Sequence, residues 1–170
     1  EGYHEDIISF IKEIREKPPV LSKVTDIKII DKEIEGYTDF KIIESVEEEE
    51  AITLLSPDIA TCDDCLRDIS DVNNRRYRYP FTNCTNCGPR FSITKKVPYD
   101  RGNTTMSVFE MCTVFRVEYT NPIDRRFHAQ PNGCSKCGPK VFICDKEGQE
   151  IISKDPIKDI TKEIKNGKIV

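Results

Sequence analysis

The run Cys62-Asp-Asp-Cys65, followed at Cys84 by Cys84-Thr-Asn-Cys87-Gly88-Pro89, decides the fold of this chain. It occurs a second time, fifty residues on, as Cys112-Thr-Val-Phe115 and Cys134-Ser-Lys-Cys137-Gly138-Pro139. The register holds between the knuckles as well: Arg75-Arg76 falls on Arg125-Arg126, and Ile93 on Ile143. A C-x-x-C turn points two thiolates at one ion, and two such turns complete a tetrahedral site. The chain therefore reads as a duplicated metal-binding module in which phenylalanine holds one of the eight ligand positions.

Cys62, Cys65, Cys84 and Cys87 predict a closed four-thiolate zinc site, with no vertex left for water or substrate, and such sites are structural. Cys112, Cys134 and Cys137 supply three ligands to the second site. Three readings of its fourth position stay open. Phe115 plugs a site that has lost its metal, His128 or Cys144 swings in as the substitute ligand, or water occupies the vertex. Cys144 follows an apolar run and otherwise reads as a buried thiol. Eight cysteines in a secreted chain would suggest disulfides, but seven of these eight fall in register with the knuckles, and no signal peptide or membrane-length apolar stretch is present.

The 170 residues are 37% hydrophobic and 33% charged, which favours small metal-held units over one large core. Between Asp58 and Lys140 there are thirteen Lys/Arg against nine Asp/Glu, inside a chain of net charge −4. A weakly basic centre between acidic ends suits a local anion or partner site and argues against general nucleic-acid binding. Arg75, Arg76, Arg125 and Arg126, with Tyr77, Tyr79, Phe81 and Phe127 nearby, are candidate anion contacts. Alternatively they serve the fold, binding backbone carbonyls and an acidic neighbour such as Asp68, Asp71, Glu118 or Asp124.

Around the double module, periodicity predicts a helix over 4–16 stopped by Pro18-Pro19. Strands are expected at Val24–Ile30 and Phe40–Ile43 with Gly36 turning between them, then an acidic connector at Glu47–Glu50. Further strands are expected at Arg90–Thr94 and Lys140–Ile143. A helix should run over Ile157–Ile164 behind Pro156, closed by Gly167, and Lys168–Val170 reads as the start of a strand. No Gly-rich phosphate loop, Ser-His-Asp set or paired-carboxylate site is legible.

The longer strings are specific. Pro57-Asp58-Ile59-Ala60-Thr61-Cys62, Asn74 through Phe91, Tyr99-Asp100-Arg101 and Asp124-Arg125-Arg126-Phe127-His128-Ala129-Gln130-Pro131 resemble the HypF carbamoyltransferases that mature nickel–iron hydrogenases. The resemblance implies an α+β, multi-unit chain. Residues 1–45 would be the C-terminal half of an acylphosphatase-like (ferredoxin-like) domain and 46–56 an acidic linker. Zinc finger 1 would take 57–94, a linker 95–106, a degenerate zinc finger 2 107–143, and the start of a YrdC-like domain 144–170.

In that family, carbamoyl phosphate and ATP yield a carbamoyl-adenylate. The carbamoyl group then passes to the C-terminal cysteine of HypE, on the way to the cyanide ligand of iron. By resemblance the setting is cytoplasmic and the partner HypE-like, with neither membrane nor nucleic acid involved. Family members carry cysteine where this chain has Phe115. The phosphate loop would precede Glu1 and the ATP pocket would follow Val170, so the chain alone is expected to be a non-catalytic fragment or the product of a decaying gene. The alternative is a double zinc ribbon that binds nucleic acid or protein.

Overall fold

Residues 1–39 and 55–170 are described in the computed structural model, in two units, Glu1–Leu54 and Leu55–Val170. In the first unit, helix α1 (His4–Glu16) follows the expected apolar spacing and ends before the proline pair. Its side chains Ile7, Phe10 and Ile14 stay exposed. Val24–Ile30 is not a strand. A strand needs a partner ladder, and among the described residues none pairs with it. The expected partner, Phe40–Ile43, and the acidic run Glu47–Glu50 lie outside the described residues.

In the second unit each module begins with a short helix whose N-cap is the first cysteine of its knuckle. Cys62 caps α2 (Asp63–Ser70) and Cys112 caps α3 (Thr113–Thr120). The second position of each knuckle, Cys65 or Phe115, therefore lies in the first turn of its helix. Beyond each helix the chain makes the same loop twice. The Arg78 N–H reaches the Ile69 carbonyl at 2.8 Å, and its counterpart His128 reaches Tyr119 at 3.0 Å. Both residues take the left-handed conformation, at φ 58° and 51°. Two L-residues strained alike at equivalent positions tie the repeat to backbone geometry as well as to cysteine spacing.

Arg90–Thr94 is a 3₁₀ turn over Phe91–Ile93 where a strand was expected. The Asp58 carboxylate accepts the N–H groups of Arg90 (2.8 Å) and Ser92 (3.1 Å), and the Thr94 hydroxyl donates to the Arg90 carbonyl. Side-chain bonds of this kind take the backbone groups that a ladder would use. The second expected strand shrinks to β1 (Ile143–Cys144), which pairs antiparallel with β2 (Glu150–Ile151) across a turn organised by Asp145 and Gly148.

Helix α4 (Pro156–Lys165) starts on an Asp155 side-chain cap with Pro156 in its first turn. It ends in a Schellman motif, with the Lys168 N–H on the Glu163 carbonyl and the Gly167 N–H on Ile164. Lys168 serves that cap, and residues 168–170 form no strand.

Gly88 is required where it stands. Its φ is 95°, and a Cβ there would lie 2.6 Å from the Asn83 Cβ. Gly88→Ala is expected to destabilise the second unit by about 1–3 kcal/mol, read as a lowered thermal midpoint at unchanged zinc content. An unchanged midpoint would contradict this account of the knuckle.

Candidate metal centres and the arginine clamp between them

The sulfurs of Cys62, Cys65, Cys84 and Cys87 all lie within 4.8 Å of one another, three of the four residues fully buried. Cys62 and Cys84 are 3.7 Å apart, and Cys84 and Cys87 3.9 Å. Disulfides require about 2.0 Å. A tetrahedron of thiolates at the zinc–sulfur distance of about 2.3 Å has edges of about 3.8 Å, so the donor set fits one zinc ion. The chemistry agrees with the geometry. Four thiols so close cannot ionise independently: the hydrogen bond between Cys65 and Cys84 lowers the Cys84 thiol to about 4 and pushes Cys65 up. A divalent cation at the centre would let all four deprotonate.

In the second cluster Cys112, Cys134 and Cys137 converge within the same limit, with Cys134 and Cys137 3.5 Å apart. Neither substitute ligand joins them. The His128 ring stacks on Tyr119 at 5.0 Å, and Cys144 is exposed in β1. Phe115 is only 1% exposed. The guanidinium carbons of Arg75 and Arg76 lie 4.4 and 4.5 Å from the centre of its ring.

The double arginines hold the two modules together, each pair crossing to the other module's helix. Arg75 and Arg76 share the carboxylate of Glu118 on α3, and Arg125 and Arg126 share that of Asp68 on α2. Glu118 is the fifty-residue counterpart of Asp68, so the clamp is reciprocal. Arg76 and Arg126 are buried. Burial opposes ionisation of both carboxyls, but the arginine hydrogen bonds and charges outweigh it and hold each below the ordinary carboxylate range. The clamp is therefore fully charged at neutral pH, and its contribution fades only as pH falls through those lowered values.

Each pair also covers the second knuckle position of the other module. Arg125 Nη1 donates to the Cys65 sulfur at 3.1 Å, with Arg126 Nη2 at 3.9 Å, where Arg75 and Arg76 meet the Phe115 ring. Asp71 and Asp124, also candidate acids, instead receive local backbone N–H groups from Asn73 and Arg126.

Two residues that the sequence reading names only in passing, Arg101 and Tyr79, have structural roles it did not assign. Arg101, in the linker, donates to the carbonyls of Gln130, Asn132 and Phe109 at 2.7–2.9 Å and so ties down the loop before Cys134. The Tyr79 hydroxyl donates to the Pro139 carbonyl at 3.1 Å and lies 2.5 Å from where a Cβ on Gly138 would be. Nothing in the spacing marks Arg101. For Glu118 and Asp68 the signal was available, since both carboxylates obey the same repeat as the cysteines.

A duplicated cysteine-knuckle module closed by reciprocal arginine–carboxylate clamps defines the class of this protein. The HypF finger model matches residues 61–94 and 111–144. The chain is 43% identical over 138 residues to carbamoyltransferase HypF of Rhodobacter capsulatus, covering 81% of this chain and 18% of that protein. It is 49% identical over 175 residues to a probable carbamoyltransferase HypF of Methanocaldococcus jannaschii, covering all of this chain and 22% of that one.

Among solved structures, a full-length HypF in the phosphate- and nucleotide-bound form superposes with a TM-score of 0.86 at 48% identity, over 99% of this chain and 22% of that one. The HypF of T. kodakarensis gives 0.78 at 41%, over 98% and 21%. The chain belongs to the HypF family and spans about a fifth of the length of these relatives. Among the described residues no helix is long and apolar enough to cross a membrane.

Proposed function

We propose that this chain is the zinc-finger segment of a HypF-type carbamoyltransferase and that it holds catalytic domains in register. On this reading residues 1–45 end an acylphosphatase-like domain, 46–56 link it to the fingers at 57–94 and 107–143, and 144–170 begin a YrdC-like domain. Cys62, Cys65, Cys84 and Cys87 hold a structural zinc, and Cys112, Cys134 and Cys137 form the second site. The whole protein uses carbamoyl phosphate and ATP to carbamoylate the C-terminal cysteine of a HypE-like partner in the cytoplasm. The chain alone transfers nothing.

The observation that carries the scaffold role is the crossed clamp, which makes one body of two modules otherwise too small to be rigid. It also weakens the nucleic-acid reading, because the paired arginines that would grip phosphate are already committed to Asp68 and Glu118.

The test uses the full-length parent protein with carbamoyl phosphate, ATP and the HypE-like partner. Mass spectrometry should find one carbamoyl group on the partner's C-terminal cysteine, and none when the 170-residue chain is supplied instead. An unmodified partner with the full-length protein would overturn the family activity, and transfer by the short chain would overturn its role as a scaffold.

A further inference from the structure

We infer that the second cluster is a three-thiolate metal site whose fourth position is filled from solution, by water that a small thiol displaces. The inference rests on the zinc-finger reading above and departs from it at one residue. Three sulfurs remain gathered although the fourth ligand is gone, and one pair of them is spaced at 3.5 Å, close to the edge of a thiolate tetrahedron.

Phe115 has no donor atom to offer the vertex, and its ring instead seats the arginine pair. In the first module Arg125 and Arg126 cover a cysteine sulfur, and in the second the equivalent pair, Arg75 and Arg76, covers an aromatic face. An aromatic face attracts guanidinium as a thiolate does, though more weakly. The replacement thus keeps the arginines seated while it removes a ligand and one negative charge from the metal shell. His128 is stacked on Tyr119 and Cys144 lies exposed in β1, so neither joins the cluster.

The second cluster is also the more accessible of the two, with both Cys112 and Cys137 part-exposed where the first cluster exposes only Cys62. An open cavity lined by Glu110, Met111, Cys112, Thr113 and Arg116 adjoins the cluster on the Cys112 side. A zinc ion with three protein ligands and an exchangeable fourth is the arrangement of open sites, in contrast to closed four-cysteine ones. A soft ion favours sulfur over oxygen. A thiol would bind as thiolate, its proton passing to solvent as the water leaves, with no change of oxidation state.

The experiment loads the 170-residue chain with zinc, and in parallel with cobalt(II) as a spectroscopic stand-in. Two metals per chain are expected. Removing even an outer partner of a ligand typically weakens a site 10–100-fold, so a missing ligand should make one metal leave for a chromogenic chelator at least about tenfold faster than the other. Phe115→Cys should slow that fast half to the rate of the other. Added 2-mercaptoethanol should raise the sulfur-to-cobalt charge-transfer absorption of the wild-type chain, and leave Phe115→Cys unchanged.

A single metal per chain, two equally slow releases, or a spectrum indifferent to thiol would each overturn the inference. Loss of the fast-leaving metal in Glu110→Gln would do so too, by giving the vertex to a carboxylate of the chain. Absence of both metals would instead sink the zinc-finger reading itself. The thiol measurement needs no substitution, so it decides the matter even if a variant fails to fold.

Discussion

Stripping zinc from the loaded chain with a strong chelator is expected to unfold the Leu55–Val170 unit, with loss of helical circular dichroism and exposure of the finger region to protease. The physical basis is the poverty of the core. Among the described residues the packed hydrophobic cluster of this unit is Cys65, Cys84 and Cys87 with Cys62 against them, and outside the cysteines only Tyr79, Met106, Phe115 and Ala129 are buried hydrophobics, so the ligands make up much of the core. Structural zinc contributes on the order of 10 kcal/mol in peptides of this kind, comparable to the whole stability of a small domain. Cys84→Ser and Cys87→Ser should behave as the chelated protein does. Cys144→Ser, at an exposed strand residue outside both clusters, should leave zinc content and melting unchanged. A chelated chain that keeps its cooperative thermal transition would show that the loops and clamps suffice without metal.

The sulfur clusters were legible because a repeat makes each half confirm the other. Cys62, Cys65, Cys84 and Cys87 needed only their own spacing, and the fifty-residue offset exposed Phe115 as the odd position. The helix behind Pro156 was legible because its cap, proline and closing glycine are all local. Arg90–Thr94 was not. Its Phe91 and Ile93 look strand-like, and the carboxylate that captures its amides, Asp58, lies more than thirty residues away.

The arginine pairs stood between these cases. Their duplication suggested a fold requirement, and Asp68 and Glu118 stood among four candidate acids. One sequence shows that a unit repeats, but it does not show that the two copies face each other. The crossing of each pair to the opposite helix is a tertiary fact that the spacing leaves open. Asp71 and Asp124 competed as partners until the backbone showed them closing local turns.

Glu118→Ala is expected to destabilise the second unit by about 3–5 kcal/mol, and Asp68→Ala by less, as seen in urea unfolding of the zinc-loaded protein. Removing one partner of a buried ion pair leaves the other charge desolvated and unpaired, which is what sets that magnitude. The two clamps differ in what remains. Without Asp68, Arg125 and Arg126 still donate to the Cys65 sulfur, which is anionic when metal is bound, and Arg126 Nε still reaches the Asn83 carbonyl at 3.1 Å. Without Glu118, the guanidinium groups of Arg75 and Arg76 keep no hydrogen-bonded carboxylate among the described residues; the Phe115 ring, worth about 0.5–2 kcal/mol, and the more distant charge of Asp68 remain, and the buried Arg76 Nε already has no hydrogen-bond partner.

Replacing the stranded charge as well should recover stability. Glu118→Ala combined with Arg76→Met should be less damaging than the two single changes summed, because an apolar pair of similar volume avoids the desolvation cost. Strict additivity, or losses below about 1 kcal/mol for both single variants, would reduce the clamps to surface ion pairs. The rigid pairing of the two modules would then have to come from the Tyr79, Asn83 and Thr85 bonds across the same interface.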